Sequence, residues 1–100
     1  NMSNLMKQAQ RMQRQMEEGQ KELETKEFVA KTGGGAVEVA VNGKKEVLRL
    51  TLSEEIVDPE DIETLQDAVV AAVNEAMRQA DEASTELMGK MTGGLGGLPF

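Results

Sequence analysis

Val37-Glu-Val-Ala-Val-Asn-Gly-Lys-Lys-Glu-Val-Leu-Arg-Leu-Thr-Leu52 decides the fold of this chain. Val37, Val39 and Val41 alternate with Glu38, Ala40 and Asn42, which puts the valines on one face of a strand. Leu48, Leu50 and Leu52 alternate in the same way with Val47, Arg49 and Thr51, giving a strand from Glu46 to Leu52. Asn42-Gly43 between them is the strongest short hairpin signal in the chain. Aligning the valines with the leucines favours a four-residue loop, Asn42 to Lys45, with Val41 opposite Glu46 and Val39 opposite Leu48. A two-residue loop would set Val39 against Glu46 and bury less. Upstream, Thr32-Gly-Gly-Gly35 is a turn. Before it, Glu27 to Lys31 is a short strand with Phe28 and Ala30 on one face.

On either side of these strands the apolar period changes from two to that of a helix. Met2, Leu5, Ala9, Met12, Met16, Gly19 and Leu23 occupy the inner positions of a seven-residue repeat, so one helix runs from Ser3, its N-cap, to about Thr25. Gly19 weakens it by roughly 1 kcal/mol relative to Ala but permits close approach of a second backbone. Downstream, Ser53 to Val57 is a connector. Asp58-Pro-Glu-Asp61 is a helix start, with Asp58 at the N-cap and Pro59 in the first helical position. This helix runs from Pro59 to about Lys90, burying Ile62, Leu65, Val69, Ala72, Val73, Ala76, Ala80, Ala83 and Leu87. The order is α-β-β-β-α: an α+β fold, with a three-stranded antiparallel sheet and two long helices. Residues 1–92 form one domain, and 93–100 are a mobile Gly-rich tail. Asn1-Met2-Ser3 reads as an initiator Met2 behind one added residue.

Composition narrows the function. Neither Cys nor His is present. That removes thiol nucleophiles, imidazole bases, disulfides and the usual zinc ligands, and it fits a reducing cytosol. No apolar run approaches the roughly 18 residues of a membrane span. The core-forming residues are few: Ile, Leu, Val and Phe total 22, while ten of the apolar residues are Ala and seven are Met. A chain so poor in large apolar groups gains by burying its helical seam against another copy of itself. Met2, Leu5, Ala9, Met12 and Met16 are therefore the expected homodimer contact.

The net charge of −7 is unevenly spread. Residues 1–52 carry nine Lys and Arg against seven acids, whereas residues 53–100 carry two against eleven. Residues 1–16 contain no acid at all. Within them Lys7, Arg11 and Arg14 cluster within about 60° of helix surface, facing away from the seam. Gln8, Gln10, Gln13 and Gln15 flank them, and Gln10 and Gln15 are the expected polar partners of the stripe. Arg and Gln bond phosphates and base edges alike. A solvated helix face is the bland alternative, and on the residues alone DNA binding and protein binding stand equal. Gly33–Gly35 lacks the Gly-Lys-Ser/Thr ending of a phosphate loop. The acids from Glu54 to Asp61 lack the spacing of a calcium loop. No catalytic constellation, metal or cofactor is expected.

Five short motifs occur together and in order: Asn4-Leu-Met-Lys-Gln-Ala-Gln10, Gly33-Gly-Gly35 before the valine strand, Val41-Asn-Gly43, Asp58-Pro-Glu-Asp61 and Ala72-Val-Asn-Glu-Ala76. In these the chain closely resembles the YbaB/EbfC family of bacterial nucleoid-associated proteins, over almost its whole length. The resemblance implies a tweezer-like homodimer with long helices projecting from a central sheet. It implies binding of double-stranded DNA in the cytoplasm, at the nucleoid, with a role in nucleoid organisation or gene regulation. It also implies DNA contact by both terminal helices. The N-terminal helix carries this over well, onto Lys7, Arg11 and Arg14. The C-terminal one carries it over poorly, with only Arg78 and Lys90 basic among many acids. The rival expectation is a protein-interaction adaptor for DNA repair or replication proteins, with no direct DNA contact.

Overall fold

The computed structural model describes residues 1–93, with side chains through Lys90. The elements follow the expected order: α1 (Met2–Thr25), β1 (Glu27–Thr32), β2 (Val37–Asn42), β3 (Val47–Leu52) and α2 (Ile62–Gly93). Short 3-10 turns at Gly33–Gly35 and Glu54–Ile56 join β1 to β2 and β3 to α2. The sheet is open and antiparallel, in the order β1-β2-β3. The expected tail lies outside the described residues, apart from Gly93 at the end of α2.

The core is a thin layer between α2 and two of the three strands. Val37, Val39 and Val41 are fully buried, with Phe28 and Ala30 beside them on β1. Ala72, Ala76 and Ala80, four residues apart on α2, complete the cluster. Residues at that spacing share one helix face, and their small side chains let α2 lie close on the strands. Thr32 Oγ1 donates to the Ala68 carbonyl at 2.6 Å, pinning the end of β1 to α2. Leu65, Val69, Val73, Ala83 and Leu87 are half-buried along the expected stripe, and Ile62 is exposed.

Ile62, expected on the buried face, is exposed because it is the first residue of α2, and three further details depart from the sequence expectations. Asn1, not Ser3, caps α1: its side chain accepts from the Asn4 N–H at 2.9 Å. An amide at Asn1 reaches the first free N–H groups, and Ser3 is already within the helix. The second concerns α2, which begins at Ile62 rather than Pro59. Asp58 closes a tight turn, accepting from the Glu60 N–H at 2.9 Å, and Asp61 does the capping. Asp61 takes the Thr64 N–H at 3.3 Å and the Thr64 hydroxyl at 2.6 Å.

The third is the hairpin register. Val39 lies opposite Leu50 and Val37 opposite Leu52, two residues from the expected pairing, while Val41 lies opposite Val47. Leu48 is thus the extra residue of a bulge in β3. The cause is the loop. Asn42 pairs with Glu46 around three residues, Gly43, Lys44 and Lys45, and Lys45 takes a left-handed conformation (φ 63°). Asn42 Oδ1 accepts from the N–H groups of both Lys44 (2.9 Å) and Glu46 (3.0 Å). These bonds favour the shorter, twisted loop over a flat four-residue one.

The two faces of the sheet differ. Away from α2, Arg49 on β3 reaches across Ala40 on β2 to form a two-pronged pair with Glu27 on β1, at 2.6 and 2.9 Å. Ala40 is buried beneath it, and its small side chain leaves the arginine room to span all three strands. On the α2 side, Leu50 and Leu52 share the face of Val39 and Val37, yet every residue of β3 is exposed. A single narrow helix covers two strands and leaves the third open.

Candidate nucleic-acid interface

The start of α1 is a helix with little beneath it. No residue of α1 is buried, and Met2, Leu5 and Met6 are 73%, 60% and 59% exposed. The helix is about 36 Å long at 1.5 Å per residue. Its C-terminal end is anchored to the body. Leu23 packs against the core cluster, and its carbonyl accepts from the Gly43 N–H at 2.8 Å. Gly19 sits against Leu87 of α2, so closely that a β-carbon there would lie 2.6 Å from the leucine methyl. Part of the apolar seam is therefore used within the chain: Gly19 and Leu23 face their own body, Met12 and Met16 are half-buried, and Met2, Leu5 and Ala9 remain open.

On the other side of α1, Lys7, Arg11 and Arg14 are exposed, as are Gln10 and Gln15. The three cations lie at about 0, 6 and 10.5 Å along the helix axis. None of them has an ion pair or hydrogen-bonded partner among the described residues. That sets them apart from four other cations. Lys31 pairs with Glu38 at 3.9 Å, Lys45 with Asp81, and Arg49 with Glu27. Arg78 lies between Glu75 and Glu82, at 2.7 Å from each. These partners hold the Arg78 guanidinium still more firmly in its charged form and lower the Glu75 carboxyl. Arg78, half of the basic content of α2, is thus neutralised by its neighbours, whereas the stripe on α1 presents its full charge to solvent.

The structure brings the five expected site residues onto one open helix face. It also reveals an apolar surface that the sequence reading did not separate from the core. Val47, Leu48, Leu50 and Leu52 on β3 are between 36% and 51% exposed, and Ile62 and Val70 on α2 are exposed as well. The alternating leucines read as core because the strand has the pattern of one. Only the narrowness of the Ala72-Ala76-Ala80 stripe signals that α2 reaches no further than β2. Among the described residues, no helix is long and apolar enough to cross a membrane.

Comparison with known proteins places this arrangement. A protein of Agathobacter rectalis named nucleoid-associated protein is 67% identical over 100 residues, spanning 100% of this chain and 88% of the relative. One of the same name from Ruminiclostridium cellulolyticum is 54% identical over 99 residues, covering 99% and 86%. The fold matches the crystal structure of an uncharacterized protein from Helicobacter pylori with a TM-score of 0.77 at 24% identity, over 92% of this chain and 97% of that one. The profile of the YbaB/EbfC DNA-binding family matches residues 1–95, and the chain belongs to that family.

Proposed function

We propose that this protein is a non-enzymatic, dimeric DNA-binding component of the bacterial nucleoid that holds duplex DNA mainly through phosphate contacts. The observation that carries this reading is the acid-free, unpaired stripe of Lys7, Arg11 and Arg14 on the open end of α1, in a chain of a DNA-binding family. Lys7, Arg11 and Arg14 neutralise phosphates, and Gln10 and Gln15 add hydrogen bonds. Such contacts carry little sequence information, so the protein coats or bridges DNA at the cytoplasmic nucleoid rather than choosing one site. Nucleoid organisation, and gene regulation through it, follow from that mode of binding.

The dimer doubles the stripe. Its contact is assigned to apolar surface that a lone chain leaves wholly or partly in water: the β3 face of Leu50 and Leu52, and the seam of Met2, Leu5, Ala9 and the half-buried Met12 and Met16 on α1. An exposed apolar edge strand invites pairing and is ordinarily covered. Burial of a large apolar side chain is worth roughly 1.5–3 kcal/mol, so a few per copy sustain a micromolar dimer.

The acidic second half of the chain opposes long-range attraction to DNA, so binding is weak to moderate and salt-sensitive. A mobility shift with untagged protein tests this at low and at physiological salt. The expected result is a shift at low salt that weakens sharply at the higher one. Absence of any shift at low salt would favour the rival role, an adaptor whose helices dock a DNA repair or replication protein.

A further inference from the structure

The hairpin loop carries a chemical liability that the fold imposes and also restrains. Gly43 cannot be replaced without moving α1, because a β-carbon on it would collide with the Leu23 carbonyl. The packing therefore requires the glycine of the Asn42-Gly43 pair, in which the missing side chain offers least hindrance to attack of the glycine nitrogen on the preceding amide. We propose that Asn42 is a site of spontaneous deamidation that docking of α1 holds closed.

The reaction needs the Gly43 nitrogen, stripped of its proton, to bond to Cγ of Asn42. The Cγ–Nδ2 bond then breaks and ammonia leaves with the proton. Water opens the resulting five-membered succinimide at either carbonyl, giving aspartate or isoaspartate. The balance is one water gained and one ammonia lost, with no change of oxidation state.

Each reacting atom is already occupied. The Gly43 N–H donates to the Leu23 carbonyl at 2.8 Å, so the nucleophile keeps its proton and is tied to α1. Asn42 is 8% exposed, and its Nδ2, the leaving group, donates to Glu46 Oε1 at 2.8 Å. Its Oδ1 accepts from the N–H groups of Lys44 and Glu46. Those two donors also polarise the amide carbonyl and stabilise negative charge developing on Oδ1. The site is thus primed at the carbonyl and blocked at the nitrogen, and the Leu23–Gly43 bond is the block.

Conversion would not be silent. An aspartate at Asn42 replaces the donor facing Glu46 with a second carboxylate. Isoaspartate also lengthens the backbone where α1 docks. Undocking of α1 and conversion of Asn42 therefore reinforce each other, and the change is irreversible.

Peptide mass mapping of the whole protein, aged in mildly alkaline buffer, tests the proposal. Conversion at Asn42 should be at least about tenfold slower in the folded protein than in the same chain in denaturant, since the reaction waits on a local opening. Leu87→Ala removes the side chain on which Gly19 rests and leaves the loop untouched. Its looser α1 should speed conversion in the folded state at least about fivefold. The wild-type comparison stands even if that variant folds poorly. Equal rates in the folded and denatured wild type would overturn the proposal. So would a folded Leu87→Ala protein that converts at the wild-type rate.

Discussion

Gly43 shows how one residue joins two elements. Its nitrogen donates to the last turn of α1, and the absence of a side chain lets the hairpin reach that carbonyl. Gly43→Ala should cost about 1–3 kcal/mol, the usual range for forcing atoms into packed space. At equal protein concentration that lowers the melting temperature by roughly 4–8 °C per kcal/mol. A second residue-scale prediction concerns Arg49. Its bonds to Glu27 hold that carboxyl below the ordinary carboxylate range. A lowered pKa in the folded state contributes stability above the ordinary carboxylate pKa, and that contribution is lost as pH falls through the lowered value. Arg49→Met should therefore lower the melting temperature slightly at neutral and alkaline pH and leave it unchanged below the lowered pKa, which flattens the acid side of a plot of melting temperature against pH. The effect is small, because the pair lies in solvent. The Asn42-Gly43 turn was legible in the sequence, since few other dipeptides favour a hairpin so strongly. Its attachment to Leu23 was not legible, because it depends on a helix twenty residues away in sequence. The Arg49–Glu27 pair was hidden for the same reason: it spans a strand whose small central residue, Ala40, looked like an ordinary alternation.

At the scale of elements, periodicity carried most of the information. A seven-residue repeat marked α1, alternation marked β2 and β3, and the small-residue stripe marked α2. Ends and offsets were less legible. Asp58-Pro59 has the composition of a helix start, but Asp61 with Thr64 offers a better cap three residues on, and α2 begins there. The bulge at Leu48 moved the pairing of β3 because loop hydrogen bonds, not apolar alignment, set the register. The cationic face of α1 was read directly, since helical spacing alone places Lys7, Arg11 and Arg14 together. That β3 lies beyond the reach of α2 was not, and it bears on the proposed dimer. Leu50→Lys should convert the dimer to monomer at micromolar concentration, since burying a charge there costs far more than leaving it in water. Met12→Lys, at a half-buried seam position, should weaken the dimer more than Arg11→Lys, which keeps its charge on the solvent side. Sedimentation equilibrium of the three variants checks this. A stable wild-type monomer would remove both contacts from the account.

The whole molecule measures 71 × 27 × 15 Å. Its charge is divided between a near-neutral first half with an acid-free leading segment and a strongly acidic second half. That division lets a protein of net charge −7 present cations at one end while the rest stays soluble and resists unspecific collapse onto polyanions. It also makes the central claim separable from the fold, because the side chains of Lys7, Arg11 and Arg14 are exposed and make no ion pair or hydrogen bond among the described residues. The most direct test is the salt dependence of DNA affinity for the wild type and for the variant with all three replaced by Gln. Two copies supply six such cations, and neutralising four phosphates gives a slope of log affinity against log salt of roughly −3.6. The triple variant should remain a folded dimer and lose most of both slope and affinity, similarly on unrelated DNA sequences. An unchanged slope and affinity in that variant would contradict the account and move DNA contact to another surface.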